Sequence, residues 1–153
     1  ADDCNKGELA SAACSCLMKC LWLARLAPPD VSKPIGNLAS KVFCRSHNDD
    51  KRLRRLISYP DDSQGYCMVG KSNDPPCDLN LLLFVDAFCC GDSDSPKSTS
   101  GAWLVLAGPD SWSPICHVSK KQTSTSRSTT EAEIVSLATA LFAEALPMVV
   151  CLH

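Results

Sequence analysis

The sequence predicts an α/β fold: a helical segment over residues 1–60, then three strands and a closing helix. Three observations lead there. Small and apolar residues recur at three- and four-residue steps between Leu9 and Ala27, the period of one helix face. Leu79 to Phe88 is a nearly continuous apolar run, as expected of a strand buried on both faces. Ser128-Thr129-Thr130-Glu131 opens an apolar periodic stretch with the pattern of a capping box.

Taken in order, Leu9, Ala13, Cys16, Cys20, Leu23 and Ala27 form the inner stripe of the first helix, which Pro28-Pro29 ends. Asp30 is the expected cap of a second helix running to Phe43, with Pro34 in its first turn. Asn48 or Asp49 caps a third, burying Leu53, Leu56 and Ile57 beneath a solvated face of Lys51, Arg52, Arg54 and Arg55. Residues 61–78 read as a linker with a short strand from Tyr66 to Val69. Pro60-Asp61-Asp62 and Asn73-Asp74-Pro75-Pro76 are its turn signals.

From Leu79 the pattern is β. Leu79–Phe88 is expected as the central strand, paired with Gly101–Gly108, which pairs in turn with Pro114–Ser119. Gly91 to Gly101 is a polar loop, and Pro109 to Ser113 joins the hairpin. The closing helix extends to Leu146 and turns Ile134, Leu137, Ala138, Leu141 and Ala145 toward the sheet. A sheet so built has an open side that a further strand would complete.

Composition narrows the function classes. The 153 residues suit one domain, or one domain with an appendage. Apolar residues at 45% and charged residues at 21% exclude disordered, collagen-like and coiled-coil chains. Lys and Arg number 15 against 17 Asp and Glu, so any polyanion site is a local patch. The apolar stretch Leu9 to Ala27 is broken by Lys19 and Arg25, too charged for a membrane span or a signal peptide. The chain reads as a soluble, intracellular, processed or excised piece without an initiator Met.

Eleven cysteines fall just below the density of a disulfide scaffold. Cys14, Cys16 and Cys20 share a helix and Cys89-Cys90 are adjacent, and neither group has zinc-ribbon spacing. Cys16 and Cys20 fit the apolar stripe as small core residues.

Two carboxylates stand out. Asp86 lies within the apolar run Leu81 to Phe88, where a carboxylate is costly unless it meets a cation or a donor. Glu133 lies one turn inside the closing helix. An Asp on a strand and a Glu on the following helix can place two carboxylates around a hard cation.

The ordered blocks Ser95-Pro96-Lys97-Ser98-Thr99-Ser100-Gly101, Pro114-Ile115, Ser119-Lys120-Lys121-Gln122 and Ser128-Thr129-Thr130-Glu131-Ala132-Glu133 resemble the ribonuclease H region of copia-type LTR retrotransposon polyproteins. Trp22 to Arg25, Pro29-Asp30-Val31 and Lys51 to Leu56 resemble that family's connection between reverse transcriptase and ribonuclease H. The resemblance implies a ribonuclease H-like partial mixed sheet over residues 79–153, preceded by a helical connection segment. It implies Asp86 and Glu133 as catalytic, Mg²⁺-binding carboxylates for cleaving RNA in an RNA–DNA hybrid. Lys97, Ser98, Thr99, Ser100, Lys120, Lys121 and Arg127 are then the expected contacts to the hybrid's phosphates and sugars.

Two departures from the family pattern matter. Phe88 replaces the second aspartate of its first motif, and no Asp follows Asp110. The chain is therefore expected to be incomplete as an enzyme. Its expected partners are the hybrid and the rest of the polyprotein or an assembly. Two rivals remain: a non-catalytic structural or interaction subunit with the same fold, and a disulfide-rich secreted domain.

Overall fold

The computed structural model describes residues 8–26, 29–63, 65, 67–89 and 96–152. It divides into two compact units between Cys67 and Met68.

The first unit is helical. Helix α1 spans Ala10–Leu26, α2 spans Ser32–Ala39 and α3 spans His47–Asp62. Their shared core is Ala13, Leu17, Ala24, Val31, Ile35, Leu38, Leu53 and Leu56, with Leu9, Cys20, Leu21 and Val42 packed around it. The α1 stripe is thus turned slightly from the expected one. Leu17 is buried and Leu23 is partly exposed. Ala27 and Pro28 lie outside the described residues.

The second helix is shorter than expected. It is broken into a 3-10 turn Pro29–Val31, α2, and a second 3-10 turn Val42–Cys44. Asp30 does not cap it: the residue before α2 is Val31, without a side-chain cap. Asp30 instead accepts a short hydrogen bond from the Tyr59 hydroxyl of α3.

Helix α3 starts two or three residues earlier than expected, because the cap is Ser46 and not Asn48 or Asp49. Its Oγ accepts from the Asp49 amide while the Asp49 carboxylate accepts from the Ser46 amide, two orphan donors satisfied reciprocally. Leu53 and Leu56 are buried, whereas Ile57 is exposed. Pro60-Asp61-Asp62 is not a turn. It forms the last helical residues, and Ser63 closes the end by donating both its amide and its hydroxyl to the Tyr59 carbonyl.

The second unit is a three-stranded antiparallel sheet in the order β1-β2-β3, with β1 Asn80–Phe88, β2 Thr99–Gly108 and β3 Ser111–Lys121. The strands and their neighbours match the expectation, but both pairings are antiparallel where a mixed sheet was expected, and the central strand is β2. Burial shows why: Leu104 and Val105 of β2 are both buried, while β1 alternates exposed and half-buried residues. An edge strand alternates because one of its faces and one of its sides meet solvent.

The hairpin joining β2 to β3 is tighter than expected, with only Pro109 and Asp110 between the paired Gly108 and Ser111. The segment before β1 pins this turn. Ser111 Oγ accepts from the amides of Asn73 and Asp74, 2.9 Å each, and the Asp74 carboxylate accepts from the Asp110 amide at 2.8 Å. A Cβ on Gly108 would stand 2.5 Å from an Asp74 carboxylate oxygen, so any larger residue there would push the Asp74 side chain from its place. The expected strand at Tyr66–Val69 is absent from its described residues, Cys67 to Val69. A single bridge, Lys71 to Trp112, stands nearby.

Helix α4, Thr129–Ala140, continues through a π-helical segment Leu141–Ala145 into α5, Leu146–Leu152. The wide turn falls just before Pro147, whose missing N–H would otherwise leave the Ala143 carbonyl unpaired. The packing face differs from the expected one. Ala132, Ser136, Ala140 and Ala145 are buried, whereas Ile134, Leu137 and Leu141 are exposed. The continuous run Thr129–Leu152 is 24 residues long, long and apolar enough by length and composition to cross a membrane. Its first half is packed on the sheet.

Candidate functional site

Strand β1 ends, β2 begins and β3 ends at one end of the sheet, because Phe88 pairs with Thr99 and Thr99 pairs with Lys121. Three of the four motif blocks meet there, those containing Ser100, Gln122 and Ala132, and Gln122 joins them. Its buried side chain donates from Nε2 to Ser100 Oγ (3.0 Å) and to the Ala132 carbonyl (2.9 Å). Its Oε1 accepts from Ser126 Oγ at 3.0 Å, and its amide donates to the Ser98 carbonyl at 2.8 Å. One residue thus ties the start of β2, the loop after β3 and the first turn of α4. The sequence placed Gln122 in a motif but not in a role. Its signal was a lone Gln at a strand end between Ser-rich segments.

The same loop caps α4. Ser128 Oγ accepts from the Glu131 amide at 3.1 Å. The Glu131 carboxylate reaches past the cap residue to accept from the Arg127 amide at 2.6 Å.

Asp86 lies on β1 opposite Gly101 and is exposed. Ser136, fully buried on α4, donates from Oγ to the Asp86 carbonyl at 2.9 Å. Glu133, also exposed, is three residues before Ser136, about 4.5 Å along the helix axis. The two carboxylates therefore lie on adjoining elements.

They are not in one row. The helix covers the sheet face of Ser100 and Cys116: Gln122 links Ser100 to α4, and Cys116 donates to Glu144 at 3.7 Å. Ala87 and Leu83 share that face by register, and Asp86 belongs with Leu82, Phe84 and Phe88 on the other.

That uncovered face carries aromatic rings. Phe84 stands 6.1 Å from Trp112, and Trp103 stacks on His117 at 5.9 Å. Burial lowers the His117 pKa. Burial, together with the charge and hydrogen bond of Glu144, pushes Cys116 up to about 11, so this thiol is no nucleophile at neutral pH.

Of the expected hybrid contacts, Ser98 and Ser100 are buried inside the fold, which removes them from the surface set. Ser98 Oγ has no hydrogen-bond partner and Ser100 serves Gln122. Lys97, Thr99 and Lys121 are half-buried, and Lys120 and Arg127 are exposed. Among the described residues no group of three or more His, Cys, Asp or Glu is placed to hold a metal ion.

Part of the chain has counterparts in known proteins. The chain is 32% identical over 112 residues to the retrovirus-related Pol polyprotein from transposon RE1 of Arabidopsis thaliana, and equally to that from transposon RE2. This similarity supports a retrotransposon polyprotein. The matched region covers 72% of this chain and only 7% of each relative. No family model matches the chain, and no solved structure matches it significantly.

The described cysteines, Cys14, Cys16, Cys20, Cys44, Cys67, Cys77, Cys89, Cys116 and Cys151, are free thiols. This arrangement does not favour a disulfide-rich secreted domain.

Proposed function

We propose that this chain is a copia-type retroelement polyprotein segment holding the end of the reverse transcriptase connection and the first part of a ribonuclease H-like domain. The observation that carries the reading is the Gln122 network, in which three ordered motif blocks meet through one buried side chain. The parent activity is Mg²⁺-dependent cleavage of RNA in an RNA–DNA hybrid inside the cell. Asp86 and Glu133 are its first two carboxylates, and Lys97, Thr99, Lys120, Lys121 and Arg127 are its backbone contacts.

The residues present do not fit a two-ion centre. Holding two divalent ions close together needs more anionic ligands than two. Asp86 and Glu133 are both exposed, lie on different faces, and have no third donor among the described residues. Mg²⁺ sheds its waters reluctantly. The chain by itself is therefore a scaffold for the site and not a working nuclease. A non-catalytic structural role draws on the same observation.

Hybrid cleavage with Mg²⁺ or Mn²⁺ tests both readings. The expected result is no cleavage by this chain, cleavage by a chain extended with its next natural segment, and loss of that activity in the extended Asp86→Asn form. An extended chain that binds hybrid without cutting it would favour the non-catalytic reading. Cleavage by the unextended chain that Asp86→Asn abolishes would confirm the site and overturn the incompleteness.

A further inference from the structure

We infer that Cys16 and Cys20 form a two-thiolate site for a soft monovalent metal ion, Cu(I), held across one turn of α1. The two residues lie four apart in the continuous helix Ala10–Leu26, so their side chains stand one above the other on one face. Both are free thiols and half-buried, and Cys20 packs against the core of the first unit. Cys14 is exposed and stands about 200° around the helix from Cys16, off that face. Among the described residues no third His, Cys, Asp or Glu joins the pair. The two thiols feel each other: burial raises the Cys20 pKa, and the charge of Cys16 raises it further.

The spacing decides what the pair can hold. Helix neighbours at this step have Cβ atoms about 5–6 Å apart, beyond the roughly 3.5–4.5 Å of a disulfide. The pair therefore does not close on itself without moving the backbone. Two metal–sulfur bonds, each about 2.3 Å in zinc thiolates, bridge sulfurs up to about 4.6 Å apart, a gap that Cβ atoms so spaced allow. Structural zinc needs four ligands, and hard cations take oxygen. Thiolates select soft ions such as Cu(I), for which two ligands suffice in a linear site. Binding releases two protons, forms two Cu–S bonds and moves no electron. The cation also removes the repulsion that disfavours the Cys20 thiolate. Both ligands lie within one helix, so the site depends neither on a further segment nor on the polyprotein reading.

Alkylation of the full, reduced chain by N-ethylmaleimide under anaerobic conditions tests it, each cysteine being read by peptide mass spectrometry. With one equivalent of Cu(I), Cys16 and Cys20 should both react at least tenfold more slowly than in the metal-free chain, and Cys14 should react as before. One equivalent of Zn²⁺ should protect neither. Cys16→Ser should abolish the protection of Cys20, and Cys20→Ser that of Cys16, with circular dichroism unchanged, whereas Cys14→Ser should leave both protected. No slowing at the pair overturns the proposal. So does equal protection by zinc, or protection of one thiol that survives loss of the other.

Discussion

Gln122 shows how a single side chain can carry a junction. Both hydrogens of its amide nitrogen are donated and its oxygen accepts from Ser126, all within the buried interior. Truncation to alanine removes these bonds and takes the amide partner from two buried serine hydroxyls, while the Ala132 carbonyl keeps its place in the α4 ladder. At about 1–3 kcal/mol for a buried group left unsatisfied, Gln122→Ala should destabilise the second unit by about 2–4 kcal/mol in urea unfolding. A loss under 0.5 kcal/mol would mean that water replaces the amide freely. Leu137 gives the opposite case. Periodicity made it a core residue, but half of it meets solvent. Leu137→Ala should cost less than about 1 kcal/mol, against the 2–5 of a buried leucine. The same unfolding measurement checks it, and a core-sized loss would restore the face expected from periodicity.

Among the elements, α3 owes its placement to a buried ion pair. Arg45 Nε donates to Asp50 Oδ1 at 2.6 Å, with the two side chains 0% and 6% exposed. Arg45 also donates to the Asp49 carbonyl, and Asp50 accepts from the Leu9 amide, which ties α3 to the start of α1. Arg45→Ala would leave a buried carboxylate unpaired, a loss of about 3–5 kcal/mol.

Burial acts to raise the Asp50 pKa, but the Arg45 hydrogen bond, the Leu9 amide and the Arg45 charge outweigh it and hold the carboxyl below its usual range. A depressed folded-state pKa stabilises above the unfolded value, near 3.9, and that contribution is lost as pH falls through the folded one. The first unit should therefore weaken steeply below about pH 4. In Asp50→Asn, thermal melts across that range should show a flatter acid limb. An unchanged limb would assign the acid sensitivity elsewhere, Asp49 being the next candidate with its own lowered pKa.

For the whole molecule, the state of the cysteines is what separates the intracellular reading from the secreted one. The nine described thiols are all free, and thiols stay reduced inside mesophilic cells. Thiol counting under denaturation, without reductant, should find nearly all 11 cysteines reactive. A count near one would return the secreted reading. In the native protein Cys116 should react last, since burial and Glu144 hold its pKa near 11, while exposed Cys14, Cys44, Cys77 and Cys151 should react first.

Local pattern by itself determined much of this protein. It located the three strands and which neighbours pair, and the start of α4 at Ser128. These follow from period, turn chemistry and capping, which act over a few residues, whereas the relation to retrotransposon polyproteins rested on a resemblance of ordered motifs. The Ser46 cap was legible too, as a serine three residues before Asp49, but neighbouring Asn48 and Asp49 competed for the role. Only the tertiary structure decided that β2 is the central strand, that α4 lays its small residues rather than its leucines on the sheet, and that Gln122 joins the motifs. Centrality depends on which strands lie on both sides, and β1 is apolar enough to be buried in a sheet that surrounds it. The helix chose Ala132, Ser136 and Ala140 because small side chains let Ser136 Oγ approach the Asp86 carbonyl at 2.9 Å. Hydrophobicity ranks side chains by their cost in water, whereas close approach between helix and sheet is limited by their volume, and periodicity alone does not report which limit governs.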